Sequence, residues 1–484
     1  KQMGLLEKIE PHTHRVGISY RSKAIIEPYL SKQWFVKMSS FKSLLKEAVS
    51  EKKVALIPES WQNTYFHWID NLRDWCISRQ LWWGHRIPVW YLKSDPSQML
   101  CHDSEGLPKE VEKNPHNWEQ DPDVLDTWFS SAFWPFNILN WTENAKDFQV
   151  FYPNAVLLTG HDILFFWVAR MLFMGKYATQ NFPFPKVFLH GLIFGKSYWR
   201  KDKEGNIHYI SGEEKKALDL GKQPLTKDIQ SKWEKLSKSK GNIIDPLEII
   251  DQYGTDAMRM ALAASSPQQA QIDLDRRRFE DFKNFTNKVW NGARFVLMNL
   301  KGSDKSALQV EHLLEGIDDQ ILKLEDRWIL SALNRTIQEV NCDLENYAFD
   351  HASKKAYGFF WKEFCAYYVE LCKPTLFEKI GSPQERQNKQ KILLIVLYNS
   401  LALLHPMAPF ITEELFQTIR GEFPIKDINS YQHADQDPYS KSLIQALQEK
   451  SIMVCSYPQV FNQKDINKIV EQEFKLMQTV LYTL

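Results

Sequence analysis

The alternation of apolar and polar positions divides the 484-residue chain into stretches of different period. VFYPNAVLLTG (150–160) is a continuous apolar run that reads as a buried strand ending in glycine. HDILFFWVARMLFMGKYA (161–178) has helical length and is apolar almost all round, which predicts a buried helix. KVFLHGLIF (186–194) is a second strand-like run. Strand, glycine turn, helix and strand make the βαβ unit of an α/β, doubly wound, Rossmann-like parallel sheet. Beyond about 276 the period changes. Apolar residues recur at spacings of three and four over 276–300, 324–347, 350–373 and 388–416. That pattern predicts an all-α bundle of long antiparallel helices, and DINKIVEQEFKLMQTVLYTL at the end continues it.

The intervening text is less periodic. Residues 1–55 mix short apolar runs with turns and one helix-like stretch, Phe41–Val49. Residues 195–233 are polar, with KEGN and DLGKQ, and read as an inserted surface excursion. DPLEIIDQYGTDAMRMALAASS then predicts two short helices, with Asp245 as N-cap, Pro246 at the first helical position and Gly254 as the break.

Composition changes little in this picture. Sixty basic residues balance sixty acidic ones, so no global positive field holds a partner, although a local basic face is compatible with neutrality. Six scattered cysteines without a CxxC pair favour a reducing compartment. No stretch approaches the roughly 20 apolar residues of a membrane span.

The unusual stretch is EKLSKSKGN (234–242), with Lys235, Lys238 and Lys240 beside Gly241. A solvated charge run is the ordinary fate of such lysines. A mobile loop of cations between an α/β sheet and a helical bundle also suits triphosphate chemistry, where charge must close on a departing pyrophosphate and then release it. Lysine serves there as a point charge on a long stem, and glycine supplies backbone freedom. The common phosphate cradles GxxxxGK[ST] and GxGxxG are absent from the text.

Lys235-Leu236-Ser237-Lys238-Ser239 resembles the KMSKS signature of class I aminoacyl-tRNA synthetases, with Leu for Met. GNIIDPLEIIDQYGTDAMRMALA, LRDWCISRQLWWGHRIPVWY (72–91), DPDVLDTWFSSAFWPF (121–136) and LLTGHDILFFWVARMLFMG (157–175) are similar to the valyl-tRNA synthetase family, in order and over nearly the whole chain. The resemblance implies ATP-dependent attachment of L-valine to tRNA(Val) through valyl-adenylate, by a cytoplasmic, monomeric enzyme with no membrane partner. It implies five segments: 1–55 as the returning end of an editing insertion, 56–225 as the second half of the catalytic domain (with the excursion at 195–233), 226–275 as the signature-loop region, 276–425 as an anticodon-binding bundle, and 426–484 as a linker with the start of a further helix.

Site residues follow by matched position. Gly160 and Asp162 would meet the ATP ribose, and His190-Gly191 the adenine. Lys235, Ser237 and Lys238 would meet the phosphates, with Lys235 and Lys238 catalytic. An Asp after a turn glycine can equally be a helix cap. Trp128, Ile163 and Trp167 would line a stiff apolar valine slot that excludes isoleucine by overlap but discriminates weakly against threonine, a limit for which valyl-tRNA synthetase is itself the standing example. Arg277, Lys288, Arg294 and Phe295 would face the anticodon loop, where cations meet phosphates and an aromatic ring stacks on a base. Phe295 could instead be core; Trp290 and Leu297 are expected to point inward. Ser19 and Ser22 stand where some relatives have a zinc-holding Cys pair, so no protein-bound metal is expected, and Mg²⁺ would arrive with ATP.

The family's other signature, a His-x-Gly-His turn, is missing from the text; WGHR (83–86) and TGHD (159–162) have the wrong order. The expectation is therefore a fragment, lacking the part before Lys1 and inactive in amino-acid activation by itself. Isoleucine specificity and an RNA-binding module without catalysis are the alternative readings.

Overall fold

A computed structural model describes the chain apart from residues 1–3, 5–6, 20–21, 103–105, 144, 267, 269–270, 301–315, 424–436 and 484, and the side chains of 481–483. The expected boundary at 425/426 lies outside the described residues. The chain forms two compact units: Lys1–Val54 with Gln62–Ala155 and Phe165–Pro185, and Ala55–Trp61 with Val156–Leu164 and Lys186–Leu484.

Short antiparallel pairings organise the first unit. Phe35–Val36 pairs with Trp75–Cys76, Ser78–Arg79 with Val124–Leu125, and Val89–Leu92 runs between Asp95–Cys101 and Trp118–Gln120. Helix Lys42–Ser50 buries Leu45, whose carbonyl accepts from the buried Tyr65 hydroxyl at 2.9 Å. Helix Ala169–Thr179 buries Met171 through Gly175. The run at 161–178 is nevertheless not one uniform helix. It opens as a 3₁₀ turn over His161–Ile163, widens to a π-helix over Leu164–Val168, and only then becomes α-helical. The wider turn shifts the side-chain register. Phe166 and Tyr177 are exposed, although the text is apolar almost all round.

The second unit carries the parallel sheet, with strands β1 (Ala55–Ile57), β2 (Leu157–Gly160) and β3 (Lys186–His190) in the order β1-β3-β2. This is the partial doubly wound sheet read from the sequence. Two boundaries differ. The run 150–160 is a strand only from Leu157, because Lys146–Phe151 is helical and Pro153 interrupts the backbone pattern. Leu158 points to the face opposite Thr159 and stays 57% exposed, so this strand is not buried on both sides.

The run 186–194 is also two strands. Gly191 ends β3, and β4 (Leu192–Lys201) leaves the parallel sheet. It pairs antiparallel with β5 (Ile207–Tyr209) and β6 (Gln230–Lys235), and parallel with β7 (Gln271–Asp273). The turn-rich text of 195–233 therefore holds a sheet layer and a helix, α1 (Gly212–Asp219), around a small core of Tyr198, Ile210, Leu218 and Ile229.

Helices α2 (Pro246–Tyr253) and α3 (Thr255–Ala264) follow as expected, and the Asp245 carboxylate accepts from Leu247 N at 2.9 Å. The helical region contains α4 (Arg277–Leu300), α5 (Leu324–Glu345), a helical stretch with a π-helical centre at Phe359–Tyr368, and α6 (Pro383–Leu404). From Asn388 to Leu404 every residue of α6 is buried, since ILLIVLYNSLALL is apolar on all faces. Lys389 is tolerated inside because Glu325 and Asp326 receive its ammonium at 2.8 and 2.9 Å. The expected element 388–416 breaks at His405-Pro406-Met407-Ala408, and α7 (Pro409–Glu422) restarts with proline at its first position. The α3 helix grips this break: Asp256 accepts from Phe410 N and Ile411 N at 3.2 and 2.7 Å, and Arg259 donates to the Pro406 and Met407 carbonyls. Among the described residues no helix is long and apolar enough to cross a membrane.

Candidate functional site

The site begins where the parallel strands end. Gly160 and His190 are register partners at the carboxyl ends of β2 and β3, where open α/β sheets receive ligands. Gly160 is buried, and a Cβ built on it would stand 2.6 Å from Asp162 Oδ1 and 3.4 Å from Leu192 Cδ2. Only glycine lets the exposed Asp162 carboxylate lie against the strand end. Asp162 caps no backbone N–H among the described residues, which removes the cap role as its reason for being there. The His190 ring keeps its Nδ1 at 2.9 Å from the Gly191 carbonyl. His161, not singled out from the sequence, lies between Gly160 and Asp162. Its ring stacks on Trp61 at 4.5 Å, and its Nδ1 is buried without a partner among the described residues.

The lysine loop is anchored to the second sheet, through β4, the strand that follows β3 after Gly191. Lys235 ends β6 opposite Phe194, and Glu234 lies opposite Gly195, a few residues along β4 from His190. Lys238–Lys240 makes one 3₁₀ turn closed by Gly241 at φ +63°. Asn242 holds the base. It is fully buried; its Oδ1 accepts from Ser237 N at 2.7 Å, and its Nδ2 faces the carbonyls of Lys235, Glu234 and Gly195 at 3.2, 3.3 and 3.4 Å. A Cβ on Gly195 would overlap the Asn242 carbonyl, so the close approach requires glycine.

The three lysines are not equivalent. Lys240 is ion-paired with Glu234. Burial raises the Glu234 carboxyl, but Lys240 and its neighbours outweigh that and hold it below the ordinary carboxylate range. Lys235 and Lys238 are exposed and have no ion-pair partner among the described residues. Ser237 Oγ and Ser239 Oγ bond each other at 2.9 Å. Two ammonium groups with no ion-pair partner among the described residues thus project from a braced loop rooted on β4. Sequence spacing pointed to the lysines; Asn242 and Gly195 were missed, although GN directly follows the run.

The family model described as tRNA synthetases class I (I, L, M and V) matches residues 10–204 and 223–275. The chain belongs to the class I tRNA synthetases. A model for the anticodon-binding domain of tRNA ligase matches 326–484 of this class I chain. It is 59% identical over 487 residues to a Valine--tRNA ligase of Protochlamydia amoebophila, covering all of this chain and 51% of the relative. It is 50% identical to a Valine--tRNA ligase of Chlamydia felis, covering all of this chain and 50% of that one. The chain spans about half the length of the curated relatives it matches. Among solved structures, Mycobacterium tuberculosis methionyl-tRNA synthetase in complex with methionyl-adenylate shares the fold, with a TM-score of 0.58, 16% identity, and coverage of 87% of this chain and 68% of that one.

The other expected residues of the synthetase fall into separate places. Trp128 and Trp167 belong to the first unit. Asp126 accepts from Trp128 N at 3.3 Å and so starts helix Thr127–Ser131, while Trp167 Nε1 donates to the Ser131 carbonyl at 3.0 Å. Both indoles are half-buried, and Trp167 lies in the π-helical turn. Ile163 belongs to the second unit.

Along α4, Val289, Ala293, Val296 and Leu300 form the inward face. Trp290 is 44% exposed, contrary to its expected inward position, whereas Leu297 is half-buried against the core. Phe295 is also half-buried there, with Lys373 Nζ 5.5 Å from its ring, so it is not a free stacking platform in this state. Lys288 Nζ lies 5.7 Å from the Trp361 ring, and Arg294 is exposed. Arg277 stands apart at the start of α4, forked onto Asp275 at 2.6 and 3.0 Å. Ser22 N donates to Ser19 Oγ at 3.3 Å.

Proposed function

We propose that this chain is the part of a valine–tRNA ligase that supplies the signature loop, the second half of the nucleotide site and the anticodon-binding bundle. The observation that carries the reading is the pair of exposed ammonium groups, Lys235 and Lys238, with no ion-pair partner among the described residues, on a braced loop rooted on β4, the strand that continues the chain from His190–Gly191. In the proposed reaction the carboxylate of L-valine attacks the α-phosphorus of ATP; the bond to the bridging oxygen breaks, and pyrophosphate leaves with the electron pair. A ribose hydroxyl of tRNA(Val) then takes the valyl group from the adenylate and AMP departs. The chain's part is alignment and charge stabilisation, with no covalent intermediate on a side chain.

Asp162 accepts from the ribose, the His190-Gly191 backbone meets adenine, and Ser237 with the two lysines meets the phosphates, whose Mg²⁺ comes with the nucleotide. Trp128 and Trp167 select valine. Arg294, the neighbouring exposed Trp290 and Lys288 serve the anticodon, and the five-segment division given above is retained as part of the proposal. The 484 residues contain no His-x-Gly-His turn, so the proposal assigns them charge stabilisation and not the complete activation site.

The test is ATP–pyrophosphate exchange by the full-length protein. Lys235→Ala and Lys238→Ala should each lower valine-dependent exchange by about 10²–10³-fold, as for other preorganised charge contacts. Their unfolding midpoints should stay unchanged, since neither lysine has an ion-pair partner among the described residues. Undiminished exchange in both variants overturns the reading, and faster exchange with isoleucine than with valine replaces its specificity.

A further inference from the structure

Behind the lysine loop lies a cavity that the proposed reaction does not use. β4, β6, α1 and the start of α4 enclose about 290 Å³. Four cations face it, Lys196, Lys215, Arg276 and Arg277, against two carboxylates, Asp219 and Asp275. Two of the cations are committed. Lys215 pairs with Asp219 at 2.5 Å, and Arg277 forks onto Asp275.

The other two are under-satisfied. Lys196 is half-buried, its ammonium 5.4 Å from the Tyr198 ring centroid and 6.0 Å from that of Trp233, its register partner on β6. Among the described residues it has no carboxylate within ion-pair distance. Arg276 is only 8% exposed and gives Nη1 to Glu248 at 3.3 Å. Its Nε is buried without a hydrogen-bond acceptor among the described residues, Asp219 standing off at 3.6 Å. Buried cationic donors are costly unless charge and hydrogen bonds compensate them. With Glu248 counted beside Asp219 and Asp275, one positive charge is left, on Lys196, together with the unserved Nε donor of Arg276, which suits a small oxyanion with several acceptor oxygens.

We propose that this cavity binds a small phosphate-type oxyanion, inorganic phosphate or pyrophosphate, between Lys196 and Arg276. The site is independent of the valine reading. It also bears on the loop, because Trp233 and Asn242 line the same cavity, and Asn242 holds the Ser237 amide and faces the Lys235 carbonyl. An anion in the cavity braces the root from which Lys235 and Lys238 project.

The experiment is calorimetric titration of this 484-residue chain with phosphate and then pyrophosphate, at constant ionic strength with chloride as the competing anion. Saturable binding at one site per chain is expected. Lys196→Met should weaken it by about tenfold or more, the scale of a lost charged hydrogen bond. Leu225→Trp should abolish it by filling the cavity from a position 54% exposed, where folding is not at risk. Lys235→Ala and Lys238→Ala should leave it essentially unchanged. Heat no greater than that of chloride overturns the proposal. So does loss of binding only in the Lys235 and Lys238 variants, which places the anion on the lysine loop. If Lys196→Met fails to fold, Leu225→Trp decides alone.

Discussion

Replacing Asn242 by alanine removes the brace beneath the lysine loop. Its Oδ1 makes one short bond, to Ser237 N at 2.7 Å, and its Nδ2 faces three carbonyls at 3.2–3.4 Å. An amide NH₂ has two protons, so at most two of those three carbonyls are served at once, and the side chain makes about three bonds in all. A made hydrogen bond contributes about 0.5–1.5 kcal/mol net, and a buried group left without a partner costs about 1–3 kcal/mol. Ser237 is near enough to solvent for its amide to be partly rehydrated, so we expect about 2–4 kcal/mol in all. At about 1.4 kcal/mol per factor of ten, the braced state should lose about 30- to 700-fold in population.

Hydrogen exchange reads this directly. The Lys240 and Gly241 amides, which close the 3₁₀ turn onto Ser237 and Lys238, and the Ser237 amide should all lose protection in Asn242→Ala while the helical core keeps its own. Asn242→Asp should not restore protection, because it keeps the acceptor for Ser237 but turns the donors toward three carbonyls into another acceptor. A folded Asn242→Ala protein with unchanged protection at these three amides would refute the reasoning.

Other outcomes follow from the same contacts. Gly195→Ala drives a methyl group into the Asn242 carbonyl and should cost about 1–3 kcal/mol, read as a lowered unfolding midpoint. The Lys240–Glu234 pair gives a pH signature. Because the folded Glu234 carboxyl is held below its ordinary value of about 4.3, its stabilisation is complete above that pH and disappears as pH falls through the lower folded value. Denaturant midpoints measured downward from pH 6 should fall in the parent, with a shallower dependence in Lys240→Met. Asp256→Ala strips two donors at the start of α7 of their acceptor and should cost about 1–2 kcal/mol by chemical denaturation, the scale of a lost helix cap. Unchanged stability in that variant would show that the grip of α3 on the helix break carries no energy.

The local signals in the sequence were strong where one physical rule sufficed. Asp245-Pro246 started α2 because a side-chain acceptor and a fixed φ suit a helix entry. The three- and four-residue spacing of α4 and α5 identified long helices because one face of each is buried. It did not say which positions along that face meet a neighbour, so Trp290 was placed inside when Val289 and Ala293 occupy that face. Residues 195–233 looked like turns because β5 is short and the parts of β4 and β6 that fall there are rich in charged residues. Their order comes from pairing with β4, and β4 itself was hidden in an apolar run whose break at Gly191 resembled continuity.

The candidate site divides in the same way. The cluster of Lys235 and Lys238 beside a glycine was legible from residue type and spacing, and Gly160 and Asp162 were singled out through the family resemblance. Which lysines are free was not. Lys240 is committed because one antiparallel ladder places Glu234 at the foot of a single 3₁₀ turn, and Asn242 becomes a brace only where three carbonyls from two strands converge on it. Sequence by itself determined the presence of a parallel α/β sheet, the helical half and the family, all set by local propensity, periodicity and contiguous motifs. Tertiary structure alone decided which groups are spent on holding the fold and which are left for a ligand. That partition depends on partners distant along the chain, and only burial makes it costly to change.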